Sequence, residues 1–498
     1  MNLRAISGRA LAALLCAWPG QLPAAGAPAG IPFGALAFQP CTLTSPGLPL
    51  TVAARCASLS VPEDRSRPDG RRIDLGLAWV PSVAKRPQPD PIVFLAGGPG
   101  QAALASFPMV SGAFRDALRQ RDVILVDQRG TGKSHPLACP GVEARQRQSG
   151  LEAGNATEAT AMTQACLGEI RNADPRFYTT STYIDDLEAV RAALGVRQVN
   201  LYGVSYGTRV ALEYLRRHPE RVRTAVLDSV VPPTLHLGAE HARNLENAVD
   251  AQLARCAADE ECRKRHGATR ALLDDLLARL RAEPPMVAYR DPLTHEQREE
   301  LLTADAVATV VRLHAYVPQL FAMLPMLLAD AADGHYATLM AQARMVQQLV
   351  GEQVSVPLQL SVTCAEDAPG LVADPADRDT LLGTALVDLL QAQCSVWPRG
   401  WAPADFHAPV TATRPVLLLS GEFDPVTPPR YGEQVQRSLP RSRHFVLRGQ
   451  GHGVFGVGCT PRLVADFVNQ ADAGGLDGRC LDTLTYTPPF AGPYGWEP

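Results

Sequence analysis

The sequence lacks an excess of charge of either sign, and it lacks long apolar runs beyond its N-terminus. Its 498 residues include 51 acidic and 47 basic side chains, for a formal net charge of −4. Such a balance, with both signs interspersed, argues against a basic nucleic-acid groove or a polybasic membrane surface. No later run approaches the roughly 18 apolar residues of a membrane-spanning helix. We therefore expect no nucleic-acid partner and no stable membrane insertion, and the partner should be a small molecule or a peptide.

Metal-binding cysteine patterns are also absent. The chain has 11 cysteines but no Cys-x-x-Cys and no His/Cys cluster at zinc spacing, which disfavours zinc and dithiol redox sites. Setting aside Cys16 in the N-terminal segment leaves ten, and an even number of scattered cysteines is typical of a disulfide-bonded exported protein. The first guesses are pairs that are close in sequence: Cys41 with Cys56, Cys256 with Cys262, and Cys459 with Cys480.

Residues 1–29 have the pattern of a signal peptide. Arg4 and Arg9 are followed by an apolar run at 10–18 that is too short to cross a bilayer, and small residues come next. This order of charge, apolar run and small residues is typical of export signals. We expect cleavage near Ala27 to Ala29, and hence a secreted or periplasmic protein.

Strand-like and helix-like segments alternate through residues 30–231. The apolar runs at 91–97 and 122–127 lack alternation, as in strands covered on both faces. A helical pattern at 181–195 has Ser181 or Thr182 as its possible N-cap. Alternation of this kind predicts an α/β fold with a mostly parallel, doubly wound sheet.

The pattern changes between residues 232 and 413, where helical patterns dominate and almost no strand-like run appears. Strand patterns resume from residue 414 to the end of the chain. We therefore predict one sheet, built from residues 30–231 and 414–498, that is interrupted by a helical cap, or lid, at 232–413.

A glycine-rich turn at 123–134 has the sequence "VILVDQRGTGKS" and ends like a phosphate-binding loop. Its spacing is wrong, because Asp127 stands where that loop requires its first glycine. Asp127 and Arg129 are therefore interpreted as structural residues that support a neighbouring loop, and Lys133 as solvent-exposed.

A serine motif at 203–207 reads "GVSYG" and lies between a strand-like and a helix-like segment. In such a turn the backbone is strained, and side chains two positions before and after the serine would collide. Gly203 and Gly207 remove that collision and leave the Ser205 hydroxyl exposed at the start of a helix. We predict that Ser205 is a nucleophile.

The partners of such a serine follow in the order acid and then histidine. Asp424 comes just after one predicted strand, and His452 comes just after the next, between two glycines. Asp228 and Glu422 are alternative acids. Other histidines fall in the helical region, where a surface or lid position is expected: His241, His295, His314 and His335.

An oxyanion needs donors close to the nucleophile. One should be the backbone N–H of Tyr206. The other should come from the loop "GGPGQ" at 97–101, with Gly98 or Gly97 as the donor. Adjacent glycines let this backbone approach a substrate closely.

Together these motifs resemble the α/β-hydrolases of the proline iminopeptidase and tripeptidyl aminopeptidase group of serine peptidases. The matching pieces are "GGPG" at 97–100, "DQRGTGKS" at 127–134, "GVSYGTR" at 203–209, "GEFDPVTPP" at 421–429 and "GQGHG" at 449–453. The group often has His before Gly-Gly-Pro-Gly, whereas here Ala96 occupies that place. In this respect the chain is similar to the secreted tripeptidyl-type branch.

The resemblance implies an α/β-hydrolase fold, an acyl-enzyme, no metal or organic cofactor, and peptide substrates with a free N-terminus. An acidic residue should then hold the substrate ammonium. Similar secreted relatives carry one near a cysteine, which points to Glu366 first and Asp367 second, beside Cys364. The alternatives are a carboxylesterase with the same three residues and a catalytically silent binding protein.

Overall fold

Short buried strands alternate with helices in the first part of the computed structural model, which describes residues 30–148, 155–492 and 494–496. The strands are β1 (Ile31–Phe33), β2 (Leu36–Thr44), β3 (Thr51–Pro62), β4 (Arg72–Val80), β5 (Ile92–Leu95), β6 (Val123–Val126), β7 (Val199–Val204) and β8 (Val222–Asp228). The helices are α1 (Ala103–Val110), α2 (Pro140–Gln148), α3 (Ala156–Glu169), α4 (Thr180–Ala193) and α5 (Tyr206–Arg217). The predicted signal peptide at 1–29 lies outside the described residues.

The segment after β8 is mainly helical, and we refer to residues 232–413 as the cap. Its helices are α6 (His241–Ala258), α7 (Glu260–His266), α8 (Thr269–Ala282), α9 (Ala304–Tyr316), α10 (Pro318–Phe321), α11 (Leu324–Ala332), α12 (Ala337–Gln353), α13 (Val356–Glu366) and α14 (Ala385–Cys394). Two strands, β9 (Met286–Arg290) and β10 (Gln297–Leu301), form an antiparallel hairpin within it.

The chain then returns to the sheet with β11 (Val416–Gly421), α15 (Pro429–Gln436), β12 (Ser442–Leu447) and α16 (Thr460–Gln470). Among the described residues ten strands form one sheet, in the order β1-β2-β3-β4-β6-β5-β7-β8-β11-β12. Pairing is antiparallel from β1 to β6 and parallel from β6 to β12. The predicted mostly parallel sheet is therefore present.

Burial explains why the central strands lack alternation. Every residue of β5, β6 and β11 is buried, because separate apolar clusters cover the two faces of the sheet. Parallel strands between two helical layers have no solvent face, so apolar residues occupy both sides. All the parallel strands end at one edge, and that edge carries the candidate site.

Two local expectations were wrong. The cap contains the β9–β10 hairpin, which a search for continuous apolar runs misses because only alternate residues of β9 are buried. The N-cap of α4 is Thr179, whose hydroxyl accepts from the N–H of Thr182. Ser181 and Thr182 lie inside the helix, since the extended backbone that a cap requires occurs at Thr179.

All three guessed disulfides are present, joining Cys41 to Cys56, Cys256 to Cys262, and Cys459 to Cys480. The structure adds Cys139–Cys166 and Cys364–Cys394. Their partners are 27 and 30 residues apart, so proximity in sequence gave no clue to them. No helix in the described ranges is long and apolar enough to span a bilayer.

Candidate active site

Ser205 lies on the turn between β7 and α5, where its backbone has φ 55° and ψ −124°. A positive φ in a residue with a side chain costs on the order of 1–3 kcal/mol. A methyl group on Gly203 would lie 2.3 Å from the carbonyl oxygen of Gly207, and one on Gly207 would lie 2.1 Å from that of Leu95. Glycine is therefore required at both positions, as the sequence predicted.

His452 and Asp424 meet at the same edge of the sheet. Nδ1 of His452 lies 2.9 Å from each carboxylate oxygen of Asp424. Asp424 follows β11 and His452 follows β12, and these two strands are parallel neighbours. Their carboxyl ends therefore deliver the acid and the imidazole to one place.

Asp424 is held by the loop that follows it. The N–H groups of Val426 and Thr427 donate to Oδ1 at 2.9 and 2.8 Å, and the Thr427 hydroxyl donates to Oδ2 at 2.8 Å. Thr427 Oγ1 also lies 3.3 Å from His452 Nδ1. These donors satisfy a buried carboxylate and fix its orientation toward the imidazole.

The turns that carry Ser205 and His452 are attached to the same two residues, 228 and 229. The N–H of Ser205 donates to the carbonyl of Asp228 at 2.9 Å. From the histidine turn, the N–H of Gly453 donates to the Ser229 hydroxyl at 2.8 Å, and that of Val454 to Asp228 Oδ1 at 2.9 Å. The end of β8 therefore sets the position of one turn relative to the other.

The two alternative acids have other partners. The carboxylate of Asp228 accepts from Val454 N–H and from the Tyr202 hydroxyl, and burial raises its pKa to about 6. Glu422 accepts from the N–H of Gly449 at 2.7 Å. Of the acids considered from sequence, Asp424 is the one hydrogen-bonded to the imidazole.

The electrostatics of the pair favour a charged carboxylate and a basic imidazole. Burial by itself lowers the pKa of His452, but the charge and hydrogen bond of Asp424, together with the charge of Asp228, raise the pKa above its ordinary value. Burial raises the pKa of Asp424, and the imidazole and the loop N–H groups outweigh it, so the pKa lies below the usual range. Such an imidazole can accept and return a proton near neutral pH.

The glycine loop after β5 lies against Ser205. A methyl group on Gly97 would lie 3.3 Å from Ser205 Cβ. Gly98 has φ 106°, a conformation suited to glycine. A methyl group there would lie 2.6 Å from the backbone nitrogen of Gly100. Tyr206 is the first residue of α5, and the first N–H groups of a helix have no partner within it. Backbone donors from both segments therefore lie near the serine.

The glycine-rich turn at 127–134 supports this loop. Asp127 is buried and accepts from the N–H of Leu104, in α1, and of Lys133, both at 2.8 Å. Arg129 makes two 2.7 Å hydrogen bonds to Asp186. Lys133 is exposed. Because α1 follows directly on the loop 97–101, the hydrogen bond from α1 to Asp127 also helps to hold that loop in place.

The two acidic residues near Cys364 are both buried but differ in their partners. Asp367 forms a salt bridge with Arg209, with distances of 2.9 and 3.0 Å. Glu366 accepts from the N–H and the hydroxyl of Thr180 at 2.6 and 2.8 Å, and no salt bridge to it occurs in the described chain. Burial and the nearby Asp367 charge raise the pKa of Glu366 to about 8.

One group of side chains in the described chain has potential metal ligands, but the ligand atoms of His407 and Asp367 are already engaged. Ligand atoms of His236, Asp367 and His407 lie within 4.8 Å of one another. The ring nitrogens of His407 lie 2.8 and 2.7 Å from the carbonyl oxygens of Pro233 and Glu366. The guanidinium paired with Asp367 also places a positive charge where a cation would bind. This cluster lies within the cap, and the ion pair of Asp367 with Arg209 connects it to the sheet domain.

The cap touches the turn that carries His452 directly. The backbone N–H of His452 donates to the carbonyl of Tyr316, the last residue of α9, at 2.9 Å. The two rings pack edge to face with centroids 5.0 Å apart. A methyl group on Gly451 would lie 2.2 Å from that carbonyl, so glycine before the histidine permits the contact.

Sequence reasoning missed Thr427 and Tyr316. Thr427 could have been found, because an aspartate that opens a Pro-containing turn commonly accepts from N–H groups two and three residues later. The contact of Tyr316 with His452 joins residues 136 positions apart in the sequence, and no local pattern indicates it.

Comparison with known proteins shows the family of the chain. A family model described as alpha/beta hydrolase fold matches residues 90–458. The serine protease Hip1 of Mycobacterium tuberculosis is 24% identical over 460 residues, which cover 84% of this chain and 85% of that protein. The tripeptidyl aminopeptidase of Streptomyces lividans is 30% identical over 199 residues, or 36% of each chain.

Among solved structures, a proline iminopeptidase from Mycobacterium smegmatis aligns with 83% of this chain and 98% of its own, at 19% identity and a TM-score of 0.37. The family model spans well over half of the sequence. The predicted fold class is thereby confirmed, and the chain belongs to the α/β-hydrolase fold family as a hydrolase of the serine type.

Proposed function

We propose that the protein is an exported serine aminopeptidase that hydrolyses peptide bonds near free N-termini and releases single residues, dipeptides or tripeptides. The observation that carries the proposal is the His452–Asp424 pair, at 2.9 Å, on the sheet edge that also holds the strained Ser205 turn. A nucleophile, a base and an acid on one sheet edge are the parts that acyl transfer requires.

The proposed reaction starts with attack of Ser205 Oγ on the scissile carbonyl carbon. His452 Nε2 takes the hydroxyl proton, while Asp424, bonded to Nδ1, fixes the tautomer and stabilises the imidazolium. The C–N bond then breaks, and the imidazolium gives its proton to the leaving amine. Water repeats the sequence on the acyl-enzyme and frees Ser205.

The negative charge that forms on the carbonyl oxygen needs donors already in place. The backbone N–H of Tyr206 and that of Gly98, with Gly97 as the alternative, are the proposed donors. The close approach of the glycine loop to Ser205 supports this assignment, and each such donor contributes about 10²–10³ in turnover.

Selectivity for a free N-terminus requires a carboxylate for the ammonium. We favour Glu366 over Asp367, because Arg209 already neutralises Asp367. Glu366 is a buried carboxyl whose pKa is raised to about 8, and an incoming ammonium would supply the cation that it lacks. Only 3% of Glu366 is exposed, so binding requires α13, which carries it, to move away from Thr180.

Two further observations support the wider proposal. Relatives over most of the chain include a protein named as a serine protease, and a partial relative is named a tripeptidyl aminopeptidase. Five disulfides in the described residues are typical of an oxidising compartment, which agrees with the export signal predicted at 1–29.

A carboxylesterase is the second candidate. The burial of both Glu366 and Asp367 favours it, because an ester substrate needs no carboxylate to hold an ammonium. The same nucleophile, base and acid serve either reaction.

The test compares alanine-peptide anilides that carry a free or an acetylated N-terminus with simple esters. An aminopeptidase should lose most of its kcat/KM when the N-terminus is acetylated. Glu366→Gln should lower kcat/KM about ten- to a hundredfold on the free-amine substrates only, and Glu433→Gln, at an exposed position of α15, is the matched control. Equal rates on free and acetylated peptides, with faster ester hydrolysis, would instead identify an esterase.

A further inference from the structure

A charged side chain of the cap lies one helical turn from the residue that contacts His452. Arg312 lies in α9, four residues before Tyr316, which contacts His452 through its carbonyl and its ring. Residues four apart lie on the same face of a helix, one turn from each other. Arg312 is therefore on the face of α9 that packs toward the turn that carries His452.

The guanidinium of Arg312 has no hydrogen bond or salt bridge to any described residue, and the side chain is half-buried. Two fully buried arginines are each paired with a carboxylate, Arg129 with Asp186 and Arg209 with Asp367. The Arg312 charge acts on nearby groups. It lowers the pKa of His452, and it adds to burial in lowering the pKa of His241, at the start of α6, to about 3.

The position of α9 shows which part of a substrate Arg312 would meet. The oxyanion loop contacts a different part of the cap, since the N–H of Ser355 donates to the carbonyl of Gly100 at 2.9 Å. In acyl transfer the carbonyl oxygen occupies the oxyanion hole, and the leaving amine lies next to the imidazole. Arg312, on the histidine side, is therefore close to the leaving fragment.

We infer that Arg312 binds a carboxylate of the leaving fragment, so that the enzyme prefers short peptides whose free C-terminus lies within reach of α9. This inference rests on the proposed function and specifies its substrate class. A guanidinium presents a planar pair of N–H donors that match a carboxylate, and neutral His241 offers a further hydrogen-bonding group beside it. Arg312 is thus a specificity residue for the leaving side.

The test measures kcat/KM for alanine peptides of two to five residues, each as the free acid and as the C-terminal amide. Wild-type enzyme should prefer the acid about ten- to a hundredfold at the best length. Arg312→Gln should reduce that ratio to about one, mainly because kcat/KM falls on the free-acid peptide. Arg312→Lys should retain part of the preference for the acid. Arg279→Gln, at an exposed position of α8, should leave the ratio unchanged.

A wild-type ratio near one, or an equal loss on acid and amide in Arg312→Gln, would overturn the inference. If the peptides resist cleavage and the protein is an esterase, acetate esters of glycolic acid and of glycolamide supply the same comparison, because their leaving alcohols differ only in the carboxylate. Failure of the proposed function is then read from the acetylated peptides, and failure of the Arg312 role from the acid-to-amide ratio.

Discussion

The edge of the sheet and the inner face of the cap meet at the same site but are built differently. We call the sheet edge that carries Ser205, Asp228, Asp424 and His452 the proposed catalytic edge. The cap face comprises His241, Arg312 and Tyr316. At the proposed catalytic edge hydrogen bonds from neighbouring loops fix the turns and carboxylates, whereas the guanidinium on the cap face has no partner within the described chain. The residues proposed to carry out the reaction are therefore held in place by hydrogen bonds, whereas the side chain proposed to select substrates is not.

The strongest way to break the comparison is to remove the nucleophile. Ser205→Ala should lower kcat by roughly 10⁴ to 10⁶ on every substrate, because the attacking oxygen is lost. Labelling by a fluorophosphonate should disappear, while circular dichroism and thermal unfolding stay close to wild type. Near-normal turnover would refute the assignment of Ser205 as the nucleophile, and failure of the wild-type protein to label would revive the silent binding protein.

The two buried aspartates of the proposed catalytic edge should differ greatly in effect. Asp424→Asn should lower kcat about 10⁴-fold, because an amide favours the wrong imidazole tautomer. Asp228→Asn should cost less than about tenfold, since Asn retains an oxygen acceptor for the N–H of Val454. A larger loss in Asp228→Asn than in Asp424→Asn would show that Asp228 is the acid.

Glu366 allows a comparison of stability with binding. Its pKa is about 8 in the folded protein, against 4.5 as the reference value, so folding favours the protonated form. The contribution of Glu366 to the free energy of unfolding is fully present below pH 4.5 and is lost as the pH rises through 8. Glu366→Gln should therefore be more stable than wild type at pH 9, on the order of a few kcal/mol, and similar at pH 5. Urea unfolding at both pH values measures the free energy of unfolding of the variant and of wild type. The same difference between the two proteins at pH 5 and at pH 9 would contradict the prediction.

The smallest expected effect concerns the pH dependence of the rate. The groups acting on His452 are Asp424 and Asp228, which raise its pKa, and Arg312, which lowers it. The neutral imidazole is the base, so kcat/KM falls as the pH drops through that pKa. On an uncharged anilide, Arg312→Gln should move the acidic limb to higher pH and Asp228→Asn to lower pH. Limbs that coincide with wild type would place Arg312 too far away to act.

Much of the fold and site could be predicted from local pattern. Gly203 and Gly207 identified the Ser205 turn because only glycine fits where a methyl group would lie about 2 Å from a carbonyl oxygen. The buried runs of β5, β6 and β11 predicted parallel strands, since strands covered on both faces carry apolar residues throughout.

Other features had weak or no local signals. The β9–β10 hairpin exposes alternate residues and so lacks a continuous apolar run. The N-cap of α4 is one of several neighbouring hydroxyl residues, and the backbone conformation selects Thr179. Pairing of Cys139 with Cys166 and of Cys364 with Cys394 depends on how separate helices pack.

The sequence by itself determined the order of the reactive residues along the chain. A serine between two glycines comes first, and an acid and a histidine follow after successive strands. These follow from steric limits and strand termini, which are local properties of the chain. Tertiary structure alone decided that residues 228–229 join the serine and histidine turns, and that Arg209 pairs with Asp367 rather than with Glu366. It also brought α9 onto His452. Such contacts join residues far apart in the chain, and packing, rather than any periodicity, sets their distances.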